Sequence, residues 1–357
     1  MSWRTIRRKS VATLASAMGV VLTGSTLYAQ APGSVPAPLP PGVPPANSTL
    51  VQPALPSAIP APAAQVFQSA PCENCGGVAQ TYTLLETIRG SILDRRDPSE
   101  FTPLGLYNFG EGWLQPWIPA GPGSSGALRG GWVGAPNGFF SREFDPFYTY
   151  VHGAHGTPNE NLGSAIIFTP LSRRLEFSIV VPYANSINSD PHESAFGDLQ
   201  LRARVMLYET QDVSFAGGIM VEAPTGTAAI GQGQTAVDPF LALWADLGNA
   251  IQVRAGIDDF APTDGSGPNV LTCSLAFGKT FKIKECGYFQ DVTPYLASNV
   301  HEAFSHAGDT DHTVFSLTPG VRTTVAHNVW IISGLEVPVT GDRPFNYAWT
   351  TVLSLGW

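Results

Sequence analysis

Between Phe345 and Trp357 every odd position but one is large and apolar: Phe345, Tyr347, Trp349, Leu353, Leu355 and Trp357, with Thr351 the exception. The even positions, Asn346, Ala348, Thr350, Val352, Ser354 and Gly356, are mostly small or polar. A period of two over that length marks a β-strand with two unlike faces, because successive side chains of an extended chain point to opposite sides. The apolar face carries rings at both ends and aliphatics between them. That is the pattern of a strand crossing lipid, where aromatic residues settle at the two interfaces of an apolar band. Phe345, Tyr347, Trp349 and Trp357 are thus the expected membrane girdle, with outer-membrane lipid as their partner. A strand at the edge of a soluble exported β-sandwich also alternates, so the choice falls to the rest of the chain.

Charge separates the two. Charged residues make up 13% of the 357, about half the ~25% usual in soluble domains, while apolar content is not raised. Poverty in charge without enrichment in apolar residues, together with 37 Gly and 31 Pro, suits alternating strands better than helical spans. A net charge of −9 argues against a nucleic-acid partner, which requires a basic surface.

The N-terminal third divides by composition. Residues 1–29 read as a signal peptide: Arg4, Arg7, Arg8 and Lys9, an apolar Val11 to Leu22, then Thr26-Leu27-Tyr28-Ala29. Export through it places the protein in the cell envelope, with the outer membrane as the expected location. Residues 30–71 form a Pro/Ala-rich linker with almost no charge, which cannot bury a core. Residues 72–142 form a small irregular segment that opens with Cys72-Glu73-Asn74-Cys75. In an oxidising envelope, a local disulfide between Cys72 and Cys75 is the plain expectation, since no second ligand pair completes a zinc site. Leu84, Leu85, Ile88 and Ile92 share one side of a helical period within Thr81 to Asp97, whereas Phe101 to Ser141 is rich in Gly and Trp without clear alternation.

Residues 143–357 alternate throughout. Leu175, Phe177, Ile179 and Val181 lie on one face of a strand, with Glu176 and Ser178 on the other; Leu199, Leu201, Ala203, Val205 and Leu207 oppose Gln200, Arg202 and Arg204. The connections carry more weight than the strands. Taken backward from Trp357, they alternate between short ones, such as His327-Asn328, Leu247-Gly248-Asn249, Thr210-Gln211-Asp212 and Leu171-Ser172-Arg173, and long ones, such as Asp259 to Pro268 and Pro224 to Ala236. Transmembrane barrels require long loops at one end and short turns at the other, and a Greek-key sandwich does not. The expected fold is therefore all-β: an antiparallel transmembrane β-barrel of about 12 strands. An even number puts both ends of the chain on one side and closes the sheet without edges.

Phe196-Gly197-Asp198-Leu199-Gln200-Leu201-Arg202, followed by Glu222-Ala223-Pro224-Thr225-Gly226 and an Asp238-Pro239 strand, resembles the outer-membrane family named for the meta-pathway of phenol degradation. The likeness spans about Leu175 to Trp357 and excludes what precedes Phe144. It implies a porin-like barrel that helps small, often aromatic or hydrophobic, compounds to cross, with no catalytic residues to carry over. The machinery that assembles such barrels is the expected partner of the C-terminal strand.

Chemistry of the chain's own finds little support. There is no G-x-S-x-G and no Ser/His pair on a common face, and no cofactor or metal is expected. The densest polar cluster, His301-Glu302, His306, Asp309, Asp311 and His312, reads as a solvated rim. The residues expected to line the lumen are Arg202, Arg204, Glu222, Arg254, Asp258, Arg322 and Glu336, joined by Glu176. In an open lumen such groups set a transverse field for passing solutes; in a closed one they pair as internal salt bridges. Three readings follow: a conduit for small solutes, a plugged structural or surface-binding barrel, and a soluble exported sandwich.

Overall fold

The computed structural model describes residues 82–154, 159–187, 193–227, 233–263, 269–283, 289–304, 312–340 and 343–357. The expected signal peptide, the Pro/Ala linker, Cys72, Cys75, His306, Asp309 and Asp311 lie outside these residues. The described part opens with helix α1 (Leu84–Leu93) and one 3-10 turn, Pro98–Glu100. Fourteen strands follow: β1 (Glu143–Gly153), β2 (Glu160–Pro170), β3 (Leu175–Ile187), β4 (Glu193–Ala195), β5 (Leu199–Glu209), β6 (Val213–Ala223), β7 (Ala236–Gly248), β8 (Ile251–Pro262), β9 (Asn269–Lys279), β10 (Phe281–Lys282), β11 (Asp291–Phe304), β12 (His312–Ala326), β13 (Val329–Pro338) and β14 (Phe345–Gly356).

Twelve of these form one closed antiparallel barrel. Each long strand pairs with the next, β9 reaches past the two-residue β10 to β11 (Ala276 opposite Ala297), and the ring shuts where β1 meets β14 (Tyr148 opposite Thr351). β4 adds three residues to the edge of β3. Closure leaves no sheet edge among the twelve, which disposes of the sandwich reading.

The connections sort by end as expected, with one exception, the eleven-residue passage from β9 to β11 that carries β10 at the short-turn end. Two-residue turns at 249–250 and 327–328 and slightly longer ones at 171–174 and 210–212 lie at the end where β1 starts and β14 stops. Asn249 and Ala250 both hold positive φ, 54° and 57°, the combination that a type I′ hairpin demands because its twist matches that of the strands.

Alternation places the two faces as the sequence implies. Outward positions such as Ile219, Leu241, Leu296, Ile331 and Trp349 are exposed and apolar, while inward neighbours such as Met220, Ala242, Tyr295, Ile332 and Ala348 are buried. Phe345, Tyr347 and Trp349 sit at the long-loop end of β14, and Trp357 follows its short-turn end. Tyr347 packs against Tyr150 and His152, with ring centroids 6.2 Å and 5.1 Å apart.

The core of this protein is its lumen. Three clusters of buried apolar residues each join the wall to the segment before β1: Trp132 and Ala135 with Ala276, Tyr295, Ala297 and Ile332; Leu104, Trp117 and Phe140 with Met206 and Ala216; Ala127 and Phe139 with Trp244. The stretch rich in Gly and Trp lacks a period because it is neither strand nor helix but an insert moulded to the inside of the barrel.

Candidate functional site: the barrel lumen and its insert

The insert enters at the short-turn end. Ser124 and Ser125 donate backbone N–H groups to Asp212 and Asp246 at 2.7 and 2.9 Å, and the Ser125 hydroxyl accepts from the N–H of Ala250 in the β7–β8 turn at 2.7 Å. Arg129 then donates to the Glu209 carboxylate at 2.7 Å and to the Thr210 carbonyl at 2.6 Å, with its guanidinium 4.5 Å over the Trp244 ring. The chain climbs to Gly134, whose neighbours Asn299 and Thr318 stand near the middle of β11 and β12. It then descends to Ser141, whose N–H donates to Glu176 at 3.0 Å.

One row of the wall is cut away to receive it. Gly278, Tyr295, Gly320 and Gly334 are successive cross-strand partners on β9, β11, β12 and β13. The Tyr295 ring lies across Gly320, where a Cβ would collide with it, and a Cβ on Gly278 would come within 2.5 Å of the Trp132 ring. An aromatic ring covering glycine restores packing that the strand otherwise lacks. Trp132 stacks on Tyr295 with centroids 4.7 Å apart and planes 2° from parallel, and the Tyr295 hydroxyl accepts from the N–H of Val133 at 2.9 Å.

The lumenal residues expected from sequence all face inward, and the insert divides them. Arg204, Arg254 and Arg322 touch it. Arg204 chelates Glu176 and donates to the Asn137 carbonyl at 2.7 Å. Arg254, fully buried, donates to the Asn137 side chain at 2.9 Å and to the Gly130 carbonyl, 4.0 Å over the Trp132 ring. Arg322 stands 3.6 Å from Asp291, and a Cβ on Gly130 would meet its guanidinium at 2.6 Å. Arg202, Glu222, Asp258 and Glu336 lie beyond the insert, toward the long-loop end. There Glu222 accepts from Gln200 at 2.9 Å, Arg202 approaches the Met220 sulfur at 3.3 Å, and Glu336 accepts from Ser316 at 2.6 Å.

His301 departs from the solvated rim: it belongs to β11, faces the lumen, and stands 4.0 Å from Glu336 and 3.3 Å from the Thr272 hydroxyl. Among the described residues no group of three or more His, Cys, Asp or Glu is arranged to hold a metal ion. Sequence reasoning passed over Trp132, Tyr295, Arg129 and Asn137. Their signal was present as inward glycines at 278, 320 and 334, positions where a wall makes room for something.

No family model matches the chain, and no curated protein does. Among solved structures it is similar to an outer membrane channel of Pseudomonas putida F1 described as COG4313, with 14% identity over 63% of this chain and 98% of that one, TM-score 0.47. The KdgM porin aligns at 10% identity over 60% of this chain and 99% of its own, TM-score 0.42. The NanC porin aligns at 9% identity over 60% and 98%, TM-score 0.39. These likenesses are remote, and the barrel rests on its own strand pairing.

Proposed function

We propose that the chain is an outer-membrane barrel for the passage of small solutes, without chemistry of its own, in which the insert sets the width of the path. The observation that carries this reading is the division of the lumen: the insert packs the short-turn half through Arg129, Trp132 and Asn137, whereas Gln200, Arg202, Glu222 and Glu336 line the long-loop half through contacts with other wall residues. The apolar outward face supports a membrane setting, because such a surface on a closed barrel has no other core to join.

In the long-loop half, Glu222, Asp238 and Asp258 project from β6, β7 and β8 beside Arg202, and across the ring Val151 faces inward from β1 next to Glu160, its buried cross-strand partner on β2. The small compounds that the meta-pathway resemblance implies would pass a lining in which carboxylates stand on both sides. The excess of carboxylates favours cations over anions at this mouth.

Conductance across a planar bilayer tests the reading. The full chain is compared with a variant in which residues 119–137 are replaced by a Gly/Ser segment of equal length, both first checked for the gel shift on heating that marks a closed barrel. The variant is expected to conduct several-fold more than the parent, and Arg202→Ala in that background to strengthen cation preference. A folded variant that conducts nothing overturns passage and leaves the plugged structural barrel, the reading that the depth of the insert otherwise favours.

A further inference from the structure

Helix α1 is inside out for a helix bathed in water. Thr87, Gly90 and Ser91 are its buried residues, whereas Leu84, Leu85 and Leu93 are 63%, 76% and 69% exposed. Specific contacts hold it that way round. The Ser91 hydroxyl shares its proton between the Thr87 carbonyl at 2.8 Å and the Leu171 carbonyl in the β2–β3 turn at 3.1 Å, and it accepts from the Trp117 N–H at 2.8 Å. A Cβ on Gly90 would meet the Pro116 ring at 3.0 Å, so the helix lies close against the insert. Arg142 donates through one nitrogen to the carbonyls of Ser91, Ile92 and Asp94, and through another to the Trp357 carbonyl at 2.8 Å, which ties the helix to the seam between β1 and β14. The helix cannot roll its leucines under without breaking these bonds.

The loop at 105–114 obeys the same rule. Arg174, in the β2–β3 turn, donates to the carbonyls of Gly105, Asn108 and Glu111 at 3.0, 2.9 and 2.8 Å. The backbone is hooked to the rim while Leu106 and Tyr107 stand 56% and 103% exposed.

We propose that α1 and the 105–114 loop form a strap that docks on the bilayer surface of the leaflet at the short-turn end, seating the barrel at a fixed depth. The inference rests on the membrane reading of the barrel given above. Lipid is the occupant because the strap is bonded to the ends of the lipid-facing strands, at Leu171, Arg174 and Trp357, and so continues their apolar band around the rim. Its charge selects the mode of binding. From Tyr82 to Glu100, Glu86, Asp94, Asp97 and Glu100 nearly balance Arg89, Arg95 and Arg96, so apolar insertion at the interface, not attraction to anionic headgroups, holds it. A helix this short is marginal in isolation, and the rim contacts supply the order that the helix alone lacks.

The test places single spin labels on the full chain, with its four native cysteines replaced by Ser, in phosphatidylethanolamine/phosphatidylglycerol vesicles. Labels are introduced by Leu85→Cys, Leu93→Cys, Glu100→Cys and Ile219→Cys, the last on the outward face of β6. Labels at 85 and 93 are expected to collide several-fold more with oxygen than with a water-soluble nickel chelate, as at 219, whereas 100 prefers the chelate; the ratios stay unchanged in high salt. If 85 and 93 prefer the chelate while 219 prefers oxygen, the strap is not docked on lipid and the inference falls alone. If 219 also prefers the chelate, the membrane reading itself fails. Spin–spin broadening at 85 assigns the face to a second copy, and shielding from both reagents assigns it to another protein surface; either overturns lipid docking.

Discussion

The guanidinium of Arg254, on the barrel wall, lies 4.0 Å from the centroid of the Trp132 ring, on the insert. The same indole stacks on Tyr295, so one insert side chain is held by two strands that are not neighbours in the ring. A cation desolvated against an aromatic face contributes about 2 kcal/mol, and Arg254 adds hydrogen bonds to Asn137 and Gly130.

Arg254→Met should therefore loosen the insert by roughly 2–4 kcal/mol, from the lost cation–π contact and the hydrogen bonds left unmade. Trypsin reports this directly, because Arg129 is shielded by its pairing with Glu209. Cleavage after Arg129 in the detergent-folded barrel should accelerate in step with the population of the open insert. An unchanged rate would mean that the stack does not hold the insert.

Gly138 offers a steric route to the same state. A Cβ there would run into the backbone of Leu243 and Trp244 on β7, which has no room to retreat. Gly138→Val should release the insert while the barrel keeps its heat-dependent gel shift. Gly110→Ala, with open space around it, should change stability by less than about 0.5 kcal/mol.

The Arg204–Glu176 pair is almost wholly buried. Removing one member of such a pair leaves the other charge without compensation and costs about 3–5 kcal/mol, whereas removing both costs far less. Glu176→Met should destabilise the barrel by that amount in chemical unfolding. The double change with Arg204→Met should recover much of the loss, short of the hydrogen bond that Arg204 makes to Asn137.

Helix α1 should respond to acid at its first turn. Backbone and then side-chain hydrogen bonds from Thr83 hold the Glu86 carboxyl below its ordinary value. A carboxylate depressed in the folded state contributes stability that is present above its unfolded value and is lost as pH falls through the folded one. Amide exchange at Thr87 and Ile88, corrected for intrinsic rate, should thus quicken below the usual glutamate range. Glu86→Gln should abolish that pH dependence, since an amide still accepts from the cap.

Alternation by itself determined the wall of this barrel. In β5, Leu199, Leu201 and Ala203 stand against Gln200, Arg202 and Arg204, and a pleated chain can place those sets only on opposite faces. The lengths of the connections settled which strand ends lie together, so the ring of twelve and the inward direction of Arg204, Arg254 and Arg322 were legible from local pattern. What those arginines meet was not. Phe101 to Ser141 has no period to read, because its conformation answers to the lumen and not to hydrogen bonds along its own backbone. Asn137 lies 67 and 117 positions from the two arginines that bind it, contacts that exist only once the ring is closed. The same holds for α1. Leu84, Leu85, Ile88 and Ile92 announce a helix, but which side faces the protein was decided by Ser91, Arg142 and the strand ends they reach, and these leave the two leucines exposed and the two isoleucines half-buried.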